Sequence, residues 1–479
     1  MGSMQSVAAA LARLGELAAS PPVSRLANAF ASAGHELAFV GGPVRDAFLG
    51  RDTHDLDFTT DATPEQVLEI VKPIARAHWD IGRAFGTIGA QIGGETVEIT
   101  TYRTDSYDGQ SRKPEVVFGR SLEEDLLRRD FTVNALALRL PEVKLVDPSG
   151  GIDDLLAGRL RTPISPAVSF GDDPLRMMRA ARFTATLGFT LDDDAVTAME
   201  SMAESIRHIS AERVSEELTK LLLSDTPRRG LELLVDSGLA AIVLPELPAL
   251  RLEIDEHHHH KDVYQHTLTV LDQAIDYEKK RATLDSPDLI LRLAALLHDI
   301  GKPATRKLEP GGAVSFYHHD VVGAKLARKR LRALRFDNDT INAVAQLIDL
   351  HLRFFGYTEG AWTDSAVRRY VRDAGDQLER LHILTRSDVT TRNRRKSDRL
   401  GFAYDDLEQR IAVLAEQEEM AAVRPDLNGE QIMAVLGLTP GREVGEAYRF
   451  LLEQRLDDGP LGEEEATRRL RAWWDGRGR

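Results

Sequence analysis

Cysteine is absent from all 479 residues. No disulfide, thiolate zinc site or cysteine nucleophile is therefore possible, and any metal must sit on histidine, carboxylate or water. A reducing cytoplasm suits such a chain, and a cytoplasmic location is the expectation. No apolar run is long enough to span a bilayer, so no membrane partner is expected. The first residues show no basic segment followed by an apolar one, so a secretory signal is not expected. Short-period repeats and low-complexity segments are also missing, which excludes solenoid architectures.

The composition that remains, 42% apolar and 29% charged, is that of a globular protein. The length exceeds one ordinary domain, so several cores are expected. A formal net charge of −15 argues about solubility and long-range steering, not about a local groove. Basic residues cluster at Lys325–Arg335, at Arg392 to Lys396 and at Arg468 to Arg471. Each run reads either as a solvated helix face or as a phosphate-contacting patch.

Between residues 37 and 150 short apolar runs alternate with Gly, Pro and Asp turns. Leu37–Val40, Leu56–Phe58, Thr87–Ile92 and Thr96–Thr101 read as strands; Val44–Leu49 and Pro64–Ala77 read as helices. This predicts an α/β unit with a mixed sheet. From about residue 152 onward the apolar period is helical, recurring from 174–187 through 364–372.

The strongest local signal is Phe39-Val40-Gly41-Gly42-Pro43-Val44-Arg45-Asp46, followed by Asp55-Leu56-Asp57. Gly41 and Gly42 end a strand and open a helix, where backbone amides can approach a phosphate. Arg45, one turn in, adds a cation. Asp55 and Asp57 are two apart in a strand, so both carboxylates point to one face. Such a pair can hold two Mg²⁺ ions for in-line phosphoryl transfer. Glu98, in Val97-Glu98-Ile99, is the candidate third carboxylate.

These segments, with Thr100–Arg103, Asp125–Ala137, Asp147–Gly151 and Asp172–Phe183 in the same order, resemble the class II tRNA nucleotidyltransferase and bacterial poly(A) polymerase family of the polymerase β superfamily. The resemblance covers roughly the first 240 residues; Leu427-Asn428-Gly429 and Pro440-Gly441 resemble the tail of members with an HD domain. It implies catalytic metals on Asp55 and Asp57, and triphosphate contacts from Gly41, Gly42, Arg45 and Arg103. It also implies phosphate and ribose contacts from Arg129 and Asp130, with support from Asn134. Asp172-Asp173-Pro174-Leu175-Arg176 matches the family's base-reading motif, with Asp172 in place of the usual Glu. Asp173 and Arg176, three apart, would share a helix face and imitate a Watson–Crick partner for C and A; Arg179 and Arg182 would reach phosphates. Glu212-Arg213 would support the site. Ser111-Arg112-Lys113-Pro114 departs from the family's usual Arg-His-Pro in a loop tied to switching from C to A.

Residues 262–388 hold a second set: His266, His298-Asp299, His319-Asp320, His351 and Asp388. The order resembles the HD phosphohydrolase superfamily. Imidazole and carboxylate suit Mn, Fe, Ni, Co or Zn, and a metal-bound water there could attack a phosphomonoester or a 2′,3′-cyclic phosphate. His319 is preferred over His318 because Asp320 and Gly323-Ala324 follow it; His351 would matter only in a two-metal version. The histidine tract 257–260 reads as a loop.

The expectation is therefore a polymerase β-like nucleotidyltransferase head (1–150), a helical neck (151–245), an HD domain (246–400) and a helical, RNA-binding tail (401–479). The implied activity is CCA addition to tRNA from CTP and ATP. Poly(A) synthesis is the alternative, disfavoured because Ala84 follows Arg83 where such relatives place a second basic residue before Phe85. CC-only or A-only addition, and an HD hydrolase with a silent head, are further possibilities.

Overall fold

The computed structural model describes the chain except residues 1–5, 53–55, 81, 84–85, 107–114, 120, 253–261, 282–283, 311–313, 360–361, 391–393, 419–423 and 477–479. The chain divides into two compact units, Met1–Pro245 and Glu246–Arg479.

Among the described residues the first unit holds β1 (Leu37–Val40), β2 (Leu56–Thr60), β3 (Ala77–Trp79), β4 (Thr87–Ile92), β5 (Glu95–Thr101), β6 (Arg103–Ser106), β7 (Glu115–Phe118), β8 (Ala137–Leu140) and β9 (Lys144–Val146), followed by the short parallel pair β10 (Arg159–Leu160) and β11 (Thr190–Leu191). Seven form one sheet in the order β3-β4-β5-β2-β1-β8-β9, while β6 and β7 make a separate ribbon. Within the sheet only β2 and β5 run parallel; their neighbours pair antiparallel. Strand β1 is buried at all four residues because it lies inside the sheet with both faces covered. Phe39 stacks on Phe58 at 4.5 Å on one face. On the other, Ala38 and Val40 pack with Leu122 and Leu126 of the short helix Leu122–Leu127. Behind the sheet the chain turns helical, and Leu175–Leu187 packs against Ala211–Leu222 and Pro227–Asp236.

The predicted helix Pro64–Ala77 ends at Val71. Pro73 stops it: proline has no amide hydrogen to give the Glu69 carbonyl, so the hydrogen-bond ladder cannot continue past Lys72. The freed segment Ala77–Trp79 pairs with β4 instead.

Among its described residues the second unit is helical apart from the short hairpin Lys307–Leu308 with Val314–Ser315. Helices Val263–Lys280, Leu289–Leu297, Asn338–Leu350 and Leu378–Ser387 pack together, and His319–Ala333 packs on Asn338–Leu350. Helices Gly429–Leu436, Arg442–Asp458 and Glu463–Gly476 close a smaller core around Ile432, Leu451 and Leu470. Among the described residues no helix is long and apolar enough to cross a membrane.

Candidate functional site

The turn from β1 into the helix Gly42–Phe48 begins at Gly41, with φ of 71°. A Cβ there would meet Arg129 Nη1 at 3.7 Å and the Asn134 carbonyl at 3.8 Å, ordinary contacts. The positive φ, not crowding, therefore demands glycine. Its N–H donates to the Leu136 carbonyl at 3.2 Å. Pro43 sits in the first helical turn, where no amide donor is needed.

Arg45 donates to Asp46 at 2.9 Å and to the Asn134 side chain at 2.8 Å. Asn134 donates to Asp130 at 3.1 Å, and Asp130 also accepts from the Phe131 amide and from Arg179, each at 2.8 Å. Burial alone would raise the Asp130 pKa, but Arg179, Asn134 and that amide outweigh it and hold the carboxyl at about 2. Arg45, Arg179 and Arg182 lie 5.6, 5.4 and 4.1 Å from the Phe183 ring. Such crowding of guanidiniums needs counter-charge. Buried Glu217 supplies it, 2.6 Å from Arg182 Nε and 3.6 Å from Arg179. The result is a wall of guanidiniums paired with Asp46, Asp130 and Glu217 beside the Gly41 turn.

On β2 and β5 the parallel register sets Asp57 opposite Glu98, so both project to the same face. Asp57 is half-buried and Glu98 exposed. Asp55 lies outside the described residues. Thr59, on the same face as Asp57, donates to the fully buried Asp125 at 3.2 Å. Asp125 also accepts from the Arg103 amide at 3.1 Å and from Arg128 and Arg129. Burial disfavours its charge, yet Arg129 and Arg128 outweigh this and hold its carboxyl below the usual range. Asp125 thus anchors three functional segments. Arg129 Nε remains buried without a hydrogen-bond partner among the described residues, close to Gly41.

The expectation that Asp173 and Arg176 share a helix face is corrected. Asp173 is extended, with φ of −144°, and the helix begins only at Leu175, because Pro174 disfavours α geometry at the residue before it. Asp173 pairs with Arg213 at 3.0 Å. Arg176 is buried and donates to Ser169 Oγ at 2.8 Å, to its carbonyl at 3.2 Å and to the Arg128 carbonyl at 2.6 Å. Among the described residues three of the five guanidinium hydrogens are engaged, leaving two.

Sequence reading passed over Asp125, Glu217 and Ser169. Asp125 and Glu217 each face two arginines by helical spacing or proximity, but only burial distinguishes them from surface acids.

In the second unit six donors converge. His266, His298 and Asp388 form one group, and Asp299, His319 and His351 another, with ligand atoms within 4.8 Å of one another in each. His298, His351 and Asp388 sit at the C-terminal caps of their helices. The Nδ1 atoms of His298, His319 and His351 face the carbonyls of Ala295, Phe316 and Ile348 at 2.8, 2.9 and 2.6 Å. Donating there leaves each Nε2 lone pair turned inward, the tautomer a metal ligand needs. His266 instead bonds Thr390 at 3.0 Å. The Nε2 atoms of His298 and His351 are buried and make no hydrogen bond among the described residues, so the donor set fits a divalent cation. Burial opposes a charge on His298, but Asp299 and Asp388 raise its pKa to about 10, so a cation bound there would have to displace the proton on Nε2. Burial and the nearby His298 push His351 down to about 4.

His319 is buried within the cluster whereas His318 is exposed. His351 joins Asp299 and His319 directly. The approach of helix His319–Ala333 depends on Gly301, where a Cβ would lie 2.0 Å from the His319 carbonyl oxygen. Buried Lys302, also passed over in the sequence, lies 2.9 Å from Asp299. The loop 111–114, Phe85 and the tract 257–260 lie outside the described residues.

The chain matches the poly A polymerase head domain over residues 37–161, a "probable RNA and SrmB-binding site of polymerase A" over 188–250, and the HD domain over 263–393. An A-adding tRNA nucleotidyltransferase of Deinococcus radiodurans is 35% identical, covering 91% of this chain and 94% of its own. A CC-adding tRNA nucleotidyltransferase of Thermus thermophilus is 34% identical, covering 91% and 93%. The crystal structure of the Bacillus stearothermophilus CCA-adding enzyme in complex with CTP superposes with a TM-score of 0.70 at 26% identity, covering 96% of this chain and 99% of that one. Sequence, fold and site agree: the chain belongs to the tRNA nucleotidyltransferase family, with a polymerase-type head and an HD domain.

Proposed function

We propose that this chain adds CCA to tRNA 3′ ends from CTP and ATP without a nucleic-acid template. The observation that carries the reading is the Asp57–Glu98 register beside the Gly41 turn and its arginines. Asp55, Asp57 and Glu98 would hold two Mg²⁺ ions, which when bound neutralise charge on the attacking and leaving oxygens. Gly41, Gly42, Arg45, Arg103 and Arg129 hold the triphosphate. Asp130, ionised at neutral pH, faces the ribose and keeps Asn134 and Arg179 in place. Asp173 and the two spare hydrogens of Arg176 read the base; Ser169 and the Arg128 carbonyl keep that guanidinium from turning. Arg179 and Arg182 form the cationic backing.

The HD cluster would hold Mn, Fe, Co, Ni or Zn on His266, His298, Asp299, His319, His351 and Asp388, and supports phosphohydrolase activity on a phosphomonoester or cyclic phosphate. We divide the chain into head 1–150, neck 151–245, HD domain 246–400 and RNA-binding tail 401–479, and place its work in the cytoplasm.

A second reading has a specific observation behind it. Two relatives matched along nine tenths of the chain are an A-adding and a CC-adding tRNA nucleotidyltransferase. Incubation of tRNA ending at the discriminator base with CTP, ATP or both separates the readings. Two C followed by one A is expected. Addition stopping after CC, or A added only to a CC end, gives the split activity, and a long tail from ATP alone gives poly(A) synthesis.

A further inference from the structure

Trp79 lies in line with the carboxylates on the sheet. Strand β3 pairs Trp79 with Gly89 of β4; β4 pairs Gly89 with Glu98 of β5; β5 pairs Glu98 with Asp57 of β2. Residues directly opposite in either kind of ladder project to one face, so these four form a single row across the sheet. Gly89 is what lets the row close up. A Cβ on it would stand 2.0 Å from the indole Nε1 of Trp79 and 2.7 Å from Cζ2. The indole therefore occupies the space of the missing side chain and lies across β4. Gly89 is buried beneath it, while Trp79 itself is half-exposed and Glu98 beside it is open. With strands about 4.8 Å apart, the ring lies roughly one strand spacing from the Glu98 column.

The opposite flank of the row holds the Gly41 turn, Arg45 and Arg129, next to β1. In an in-line displacement the attacking hydroxyl and the departing pyrophosphate lie on opposite sides of the phosphorus. A triphosphate on the β1 flank leaves the β5–β4–β3 flank for the RNA end that attacks. We propose that the Trp79 indole is the platform on which the 3′-terminal base of the RNA acceptor stacks, setting its 3′-hydroxyl beside Glu98 and Asp57. The chemistry suits the task. The acceptor's last base differs among RNAs and changes after each addition, and stacking on a ring accepts any base because each has a π-face.

This inference rests on the RNA nucleotidyltransfer reading above, and steady-state kinetics on acceptor-stem minihelices with each of the four 3′-terminal bases separate the two. Trp79→Ala is expected to raise KM for the minihelix about tenfold to a hundredfold, alike for all four bases, with KM for CTP unchanged. Trp79→Phe is expected to recover most of the loss. A minihelix whose terminal nucleotide is abasic should bind the unaltered enzyme as weakly as the normal one binds Trp79→Ala, and should lose nothing further with that variant. An unchanged minihelix KM in Trp79→Ala, an equal rise in KM for CTP, or full affinity for the abasic end would overturn the platform. Should Trp79→Ala not fold, the Phe variant and the abasic substrate still decide. An unaltered enzyme that extends no RNA would overturn both readings; one that extends RNA regardless of Trp79 overturns only this one.

Discussion

Asp130 shows how a single buried charge reports on the site. Its pKa is held at about 2 in the folded chain, against about 3.9 for an unfolded aspartate. A folded value below the unfolded one stabilises the protein above the unfolded pKa, and the contribution fades as pH falls through the folded value. The difference corresponds to about 2–3 kcal/mol at neutral pH. Asp130→Asn should therefore unfold more easily than the parent at pH 7, with the gap closing between pH 4 and 2 in denaturant titrations. A gap independent of pH over that window would show that the residue acts through shape rather than charge. The same residue marks a limit of sequence reading. Asp130 and Asn134 could be named from the family motif, but that Asn134 links Asp130 to Arg45 depends on contacts 89 residues apart. The Asp173 geometry, by contrast, was open to reading: Pro174 announces the break in the helix, and the three-residue spacing to Arg176 hid it.

At the scale of elements, strands with alternating burial were readable, and β4 and β5 came out within a residue. Strand β8 was not, since Ala137–Leu140 lies beside β1 and carries no clean polar alternation. Strand β3 is three residues long and partly exposed, so only its pairing with β4 makes it a strand. The longer helices of the second unit from Val263–Lys280 to Asp364–Ala374 were read closely because their apolar period is long and regular. Leu378–Ser387 and the later helices were read only as helical in general, and the convergence of six donors on one point required the helices' packing. Gly301 is the element-scale device there. Gly301→Ala would place a methyl group against the His319 carbonyl and push helix His319–Ala333 away from Asp299. Overpacking of this kind costs about 1–3 kcal/mol, and bound Mn²⁺ or Co²⁺ should weaken by at least about tenfold as His319 leaves the donor set. Thermal melts with and without metal, and equilibrium dialysis, measure both; a variant that melts lower but binds metal normally would detach His319 from the cation.

The chain carries two candidate centres, one on each of the two compact units divided between Pro245 and Glu246. Each has its own carboxylates and its own counter-charges: Asp125, Asp130 and Glu217 set the arginines of the first, while Lys302 and four imidazoles surround Asp299 and Asp388 in the second. No side chain belongs to both sets, so their chemistry should separate by mutation. Asp57→Asn, nearly isosteric, should lower nucleotide addition by on the order of a hundredfold to a thousandfold and leave hydrolysis of a 2′,3′-cyclic nucleotide unchanged. Asp299→Asn should do the reverse, and should also lower the metal retained after dialysis. Equal loss of both activities in either folded variant would mean that the units share a substrate path or a metal, and the division into independent centres would have to be abandoned. Loss of addition in Asp299→Asn that returns when the tRNA is supplied with a clean 3′-hydroxyl would instead order the two centres in sequence, the second preparing the end that the first extends.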